Sequence, residues 1–346
     1  GLVAESVEYP EDRSWIIFHI NPAARFHDGH PITAEDVVFT FNTLVEKGSP
    51  FYSAYYADVV KVEALDTQRV KFTARDGKNR ELPLVLGQLK VLPKHFWENR
   101  DFGEANLDLP LGSGPYRIKS FETGKTIVLQ RVADYWAKDL PVQKGMYNFD
   151  TLHVDYYRDQ TVMLEAFKSG RYDYREENQS KRWATEYDGD KFQSGEIIKK
   201  EIVHQNPTGM QAFVMNTRRD LFKDPRVRKA LDLAFDFEWT NKQLFYGAYN
   251  RTESYFSNSE LAATGLPSEA ELALLAPYRE DIPEAVFTKV YSSPTTDGSG
   301  NNRKNIRAAI KLLKDAGWTF RGTDLVHAES GQPFRFEILL YSKDFE

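Results

Sequence analysis

Three clusters of residues along this chain have the types and spacing to do chemistry. His27-Asp28-Gly29-His30 puts two imidazoles and a carboxylate on consecutive residues, a pattern that invites a metal ion. Asp28-Gly29 is also a strong turn dipeptide, because glycine takes positive φ without steric cost. No third ligand stands nearby in sequence, so turn chemistry is the expected role and no metal or other cofactor is expected. Gly124-Lys125-Thr126 mimics the end of a phosphate loop, but Lys119 occupies the place of the first glycine. A β-rich run follows it where a phosphate loop needs a helix. The third cluster is Glu176-Glu177-Asn178-Gln179-Ser180-Lys181-Arg182-Trp183. Charged groups, an amide and an indole on one loop can hold the termini of a peptide by ion pairs. Glu176 and Glu177 read as a general acid and base would make a hydrolase, but adjacent carboxylates on one loop rarely oppose each other. No Gly-x-Ser-x-Gly elbow occurs, and none of the 7 His lies in a catalytic phrase. The chain is not expected to be an enzyme.

The elements that must carry these clusters are legible in part. Residues 14–20 are β-rich, and Asp28-Gly29 turns the chain into Thr33-Ala34-Glu35-Asp36, a capping-box pattern. Val37, Val38, Phe41, Leu44 and Val45 then share one helical face, and Gly48-Ser49-Pro50 ends it. Strands are expected at 60–65 and 69–74, a hairpin at 116–121 and 126–132, and a further strand at 152–157. A short helix is expected at 161–169, stopped by Gly170. Two more strands are read at 197–203 and 211–215. Asp224 as N-cap and Pro225 at the first helical position open a long helix that Gly247 closes. Residues 257–300 read as loop, 305–316 as an amphipathic helix closed by Gly317, and 334–341 as a strand.

Composition narrows the function classes. A chain of 346 residues needs two or three lobes. Net charge of −6 with no basic block argues against nucleic acid and anionic membranes as partners. No run of about 18 apolar residues spans a bilayer. The absence of Cys removes thiolate metal sites and disulfides, so the fold rests on burial. The first residues lack a basic start and an apolar core, which fits a cytosolic chain or one whose leader has been removed. Both ends read as cut, and the chain is expected to be part of a longer protein. Aromatic residues are abundant, with 23 Phe, 18 Tyr and 6 Trp, and such rings line recognition clefts at low entropic cost.

The run "ARFHDGHPITAEDVVFTF" closely resembles the signature of the family-5 extracellular solute-binding proteins, the peptide, dipeptide and nickel receptors of ABC importers. "GSGPYRIKSFETGKTIVLQRVADYW" and the segment from Asp224 to Leu231 resemble the second and third signatures, in the family's order. The resemblance implies an α/β type II periplasmic-binding-protein fold of cluster C, with two large lobes, a small extra lobe and mixed sheets. It implies a small lobe at 1–110, part of large lobe I at 111–224 and the start of large lobe II at 225–346. The implied function is capture of oligopeptides between the large lobes, by a periplasmic monomer that serves an inner-membrane permease and its ATPase subunits. The same resemblance places ligand contacts on Phe51 and Tyr55 after the first helix. It places others on Glu176, Asn178, Lys181 and Trp183, on Gln211, Phe213 and Asn216 before the lobe crossing, and on Tyr255. Phe51 stands where the family carries a ring over the ligand. Within the family, "YNRTESYFSNSELAATGLPS" and "DYREENQSKRWATEYD" resemble the Yej-type receptors of oligopeptides and microcin C. A same-fold receptor for a sugar, nickel chelate or opine is the alternative.

Overall fold

The computed structural model describes residues 2–104 and 107–340. The apolar run after Ser14 becomes the inner strand of a four-stranded antiparallel sheet, ordered β1-β2-β4-β3. Its members are β1 (Ala4–Glu8), β2 (Trp15–Ile20), β3 (Val59–Ala64) and β4 (Arg69–Ala74). Ile16 lies opposite Phe72 and Phe18 opposite Val70, which sets the alternation that buries Ile16, Val70 and Phe72. Asp66 closes the β3–β4 turn by accepting from the backbone N–H groups of Gln68 and Arg69, both at 2.8 Å.

Between β2 and β3 the signature run folds as expected, into a tight hairpin followed by a helix. Phe26 N–H donates to the His30 carbonyl and Ile32 N–H to the Ala24 carbonyl, each at 2.9 Å. Gly29, at φ +90°, makes the turn. Ala24, Phe26 and Ile32 point into the sheet's core beside Val37 and Phe41 of α1 (Ala34–Lys47). Ser49 and Pro50 then start α2 (Pro50–Tyr55), and α3 (Leu82–Leu86) and α4 (Lys94–Trp97) follow β4.

Asp36, which is 5% exposed, joins α1 to the segment before α4. Its Oδ2 accepts from Thr33 N–H at 2.9 Å and from the Thr33 hydroxyl at 2.8 Å. Its Oδ1 accepts from Lys94 N–H at 2.9 Å. One turn later the buried Thr40 hydroxyl donates to the Asp36 carbonyl at 2.6 Å and accepts from Leu92 N–H at 2.8 Å. The second signature docks on the first. His27 N–H donates to the Gly112 carbonyl, and Arg25 reaches the Asp134 carbonyl at 2.8 Å. His27 Nε2 lies 2.8 Å from the Gly114 carbonyl; a carbonyl only accepts, so this nitrogen carries the proton. A three-stranded antiparallel meander, β5 (Tyr116–Glu122), β6 (Thr126–Arg131) and β7 (Thr151–Asp155), completes the compact unit Gly1–Met163. Every strand pairing among the described residues is antiparallel.

Helix α5 (Gln160–Lys168) ends at Gly170, φ +80°, as its sequence requires. The second compact unit, Leu164–Glu346, is helical and loop-rich. It contains α6 (Ser180–Thr185), α7 (Asp190–Gln193), α8 (Asp220–Lys223), α9 (Pro225–Ala234), α10 (Phe237–Gln243), α11 (Glu269–Leu275), α12 (Ala285–Thr288) and α13 (Arg303–Asp315). A hairpin of β8 (Trp318–Arg321) and β9 (Asp324–His327) follows α13. Phe222, Val227 and Trp318 form its small buried core, with Leu231 and Leu313 against them. Among the described residues no helix is long and apolar enough to cross a membrane.

Five expectations need correction. Residues 197–203 and 211–215 are not strands: β-rich stretches become strands only when another strand supplies the ladder. Ile202, Val203 and Val214 lie 70%, 90% and 92% exposed there. Residues 334–340 form no strand either, and Tyr341 lies outside the described residues. The long helix expected from Pro225 to Gly247 breaks at Phe235, because Asp236 accepts from Trp239 N–H and starts α10 afresh. The expected loop 257–300 contains α11, opened by a capping box in which the Glu271 carboxylate accepts from Ser268 N–H at 2.7 Å.

Asp36→Ala leaves two backbone N–H groups and a hydroxyl unpaired at a buried site, and is expected to lower stability by about 3 kcal/mol. Chemical denaturation followed by tryptophan fluorescence checks this. A loss below about 0.5 kcal/mol, ordinary for a surface position, would contradict it.

Candidate functional site

The third sequence cluster is built around a residue that did not stand out in it. Arg175 and Glu177 have side chains 4% and 5% exposed and pair at 3.0 Å. Arg175 Nε also donates to the Tyr187 hydroxyl at 2.6 Å, and its other arm to the Tyr172 hydroxyl at 3.3 Å. Tyr187 in turn donates to Glu177 at 2.7 Å, and Gln179 N–H donates to the second Glu177 oxygen at 3.0 Å. Glu177 thus accepts from three donors, two on one oxygen and one on the other. Burial raises the cost of its charge, but the bonds from Tyr187, Gln179 and Arg175 outweigh that and hold its pKa below the ordinary 4.5. Burial and the bond to Glu177 push the Tyr187 phenol from 10.0 up to about 12. The hub fixes both ends of the segment 175–187 and the start of α6.

On that anchored segment Glu176, Asn178 and Lys181 are exposed. Glu176 accepts from the Tyr174 hydroxyl at 2.7 Å. Trp183 is half-buried: its ring lies 5.5 Å from that of Tyr187, and the Lys199 ammonium sits 4.5 Å from its centroid. Phe51 and Tyr55, in the first unit, fall one turn apart on α2 and stack at 4.9 Å, with Phe51 60% exposed. Phe213 is 59% exposed and meets Phe235 edge-on at 6.3 Å. Gln211 is exposed on the same irregular segment. Asn216 accepts from Arg218 N–H at 3.2 Å and shapes the turn into α8. Tyr255 is 81% exposed. Its loop is tied to 204–208 by Asn258, which donates to the His204 and Asn206 carbonyls at 2.9 Å, and by Thr208 N–H to the Ser257 carbonyl.

Two open recesses in the second unit involve none of these ten residues. One, of about 360 Å³, is lined by Asp220, Asp224, Val227, Trp318, His327 and Arg335. The other, of about 450 Å³, lies over Phe237, Asn241, Lys242 and Tyr246. Sequence reasoning missed Arg175 because its bond to Tyr187 closes across 12 residues and no periodicity reports it. It also missed His95, whose Nε2 lies 2.8 Å from Asp28 across 67 positions.

Residues 1–345 match the model of the bacterial extracellular solute-binding proteins, family 5 Middle. Over 340 residues the chain is 47% identical to YejA of Escherichia coli (strain K12), covering 98% of this chain and 56% of that protein. It is 41% identical over 355 residues to the probable peptide-binding protein YejA of Agrobacterium fabrum, covering 100% of this chain and 58% of the relative. Among solved structures it is similar to the oligopeptide-binding protein AppA of Bacillus subtilis in complex with a nonapeptide. The TM-score is 0.61 at 22% identity, over 96% of this chain and 58% of AppA. The fold is thus the α/β type II periplasmic-binding-protein fold. The chain spans a little over half the length of the curated relatives it matches, 56% and 58% for these two.

The family is one of solute-binding proteins rather than enzymes. Glu177 suits that: an ionised carboxylate held by three donors has no proton to give. Because its pKa is lowered on folding, its contribution to stability is complete above about 4.5 and is lost as pH falls through the folded-state value. Glu177→Gln is therefore expected to lower stability at neutral pH and to flatten the acid limb of the melting-temperature profile. A variant with the wild-type acid limb would show that the carboxylate is not the titrating group.

Proposed function

The chain belongs to the bacterial extracellular solute-binding proteins of family 5, and from that premise we propose that it captures oligopeptides for an ABC importer. The observation that carries this reading is the match to a probable peptide-binding protein, which extends over 100% of this chain. In this reading the protein works in the periplasm as a monomer and delivers its cargo to an inner-membrane permease with its ATPase subunits. The resemblance of the loops 173–188 and 249–268 to Yej-type receptors extends the ligand class to peptide conjugates of the microcin C kind. The lobe division at 110 and 224 belongs to the same proposal, with closure about the crossings near 216–224 driven by tighter binding in the closed state.

The side chains fit the task. A peptide carries charged termini, a polar backbone and varied side chains. Lys181, Glu176 and Asn178 offer opposite charges and an amide on a segment whose base is fixed by the Arg175–Glu177 pair. Holding such groups in place before the ligand arrives reduces the entropy lost on binding. Tyr255, Phe213 and Phe51 offer exposed ring faces, which accept many side chains with little selectivity. Gln211, Asn216, Tyr55 and Trp183 complete the proposed contact set. Phe51 brings no hydroxyl, so its contribution is ring contact alone.

Calorimetric titration of the full-length protein with a short peptide of mixed sequence tests the reading. Tyr255→Ala and Trp183→Ala are each expected to weaken binding by more than about tenfold, equivalent to about 1.4 kcal/mol. Wild-type affinity in both variants would place the site elsewhere on the protein.

A further inference from the structure

We propose that Asp28, His30 and His95 form a binding site for a single divalent transition-metal ion of the zinc type. His30 Nδ1 lies 3.0 Å and His95 Nε2 2.8 Å from the same oxygen, Asp28 Oδ2. The three donor atoms all lie within 4.8 Å of one another. Two ligands of a tetrahedral zinc ion, at bonds of about 2.0–2.1 Å, stand about 3.3 Å apart. Each nitrogen therefore needs only a few tenths of an ångström of movement away from Oδ2 to reach that spacing. The groups are exposed, so they can make that movement and water can complete the coordination.

The donor set and its supports both point to a metal of this class. Two imidazoles and one carboxylate suit zinc and its neighbours in the transition series. Calcium and magnesium prefer oxygen ligands throughout. The second oxygen of Asp28 accepts from His30 N–H at 3.1 Å, which turns Oδ2 toward the two rings. The rings of His30 and His95 stack at 4.3 Å with a 28° tilt, bringing their nitrogens to one side. Phe26 meets the His95 ring edge-on at 5.8 Å. The backbones are held as well: the 26–30 turn by its own hydrogen bonds, and the start of α4 by Lys94 N–H on Asp36. His27 takes no part, since its Nε2 is bonded to Gly114. An ion here would pin the signature turn to α4 across 67 residues of chain, and its binding would add to the stability of the folded state.

The test is calorimetric titration of the chelator-stripped, full-length protein with zinc chloride, with melting temperatures recorded in parallel. The expected result is one zinc ion per chain and a higher melting temperature with zinc. His30→Gln and His95→Gln are each expected to keep the metal-free melting temperature and to weaken binding by at least about tenfold. No binding by the wild type, or wild-type affinity in both variants, would overturn the proposal. Should a variant fail to fold, an anomalous difference map of wild-type crystals soaked in zinc decides. A peak between Asp28, His30 and His95 supports the site, and peaks only elsewhere overturn it.

Discussion

The first unit depends on the carboxylate of Asp36. A buried charge is tolerated in a protein interior only when its oxygens are occupied, and three donors occupy these. Two of them fix the first turn of α1; the third belongs to Lys94, on a segment that no ladder or long helix would otherwise hold. Thr40 repeats the arrangement one turn further along. The signature hairpin, α1 and the approach to α4 are thereby fixed to one another, and the apolar side chains of Phe26, Ile32, Val37 and Phe41 follow into the core. Docking of Gly112 and Gly114 on His27 extends the same frame to the second signature.

The second unit solves a similar problem without a large sheet. Its buried apolar core is small, and polar hubs supply much of its order. Arg175, Glu177 and Tyr187 tie the segment around α6 into one arrangement, and Asp232, in the last turn of α9, ties in the loop after α10 by accepting from Arg251 at 2.7 Å. Such hubs add little net stability, because desolvation offsets much of the attraction, but their geometry is specific. That combination suits a receptor loop. It fixes the base of the segment while leaving the groups on its rim open to solvent.

Much of the first unit was legible in the sequence because its determinants are local. The turn at Asp28-Gly29, the acid three residues after Thr33, and the alternation in 69–74 each act within a few positions, and each appears as read. β3 pairs with β4 as expected, but a bulge between Val59 and Lys61 interrupts its register and its burial does not alternate. The second unit was less legible because its determinants are not local. Residues 197–203 and 211–215 have strand composition, yet composition does not say which strand would pair with them. The break between α9 and α10 turned on a competition at Asp236 that helical periodicity does not report. The helix α11 could have been found, since Ser268-Glu-Ala-Glu271 carries the capping-box spacing. Arg175 and His95 could not, since each gains its role from partners brought in by folding. Family resemblance identified the class of protein and proposed ten contact residues. Those ten fall on both units, and the structure shows the local setting of each.

A peptide receptor holds peptides, and the contents of the binding site of the full-length protein decide whether this family-5 chain serves one. Native mass spectrometry of the full-length protein, purified gently and then denatured to release its cargo, reads those contents. A heterogeneous set of released masses that fragment as peptides is expected, because backbone and terminal recognition admits many sequences. A single discrete mass that does not fragment as a peptide would contradict it, and would assign this fold to another solute.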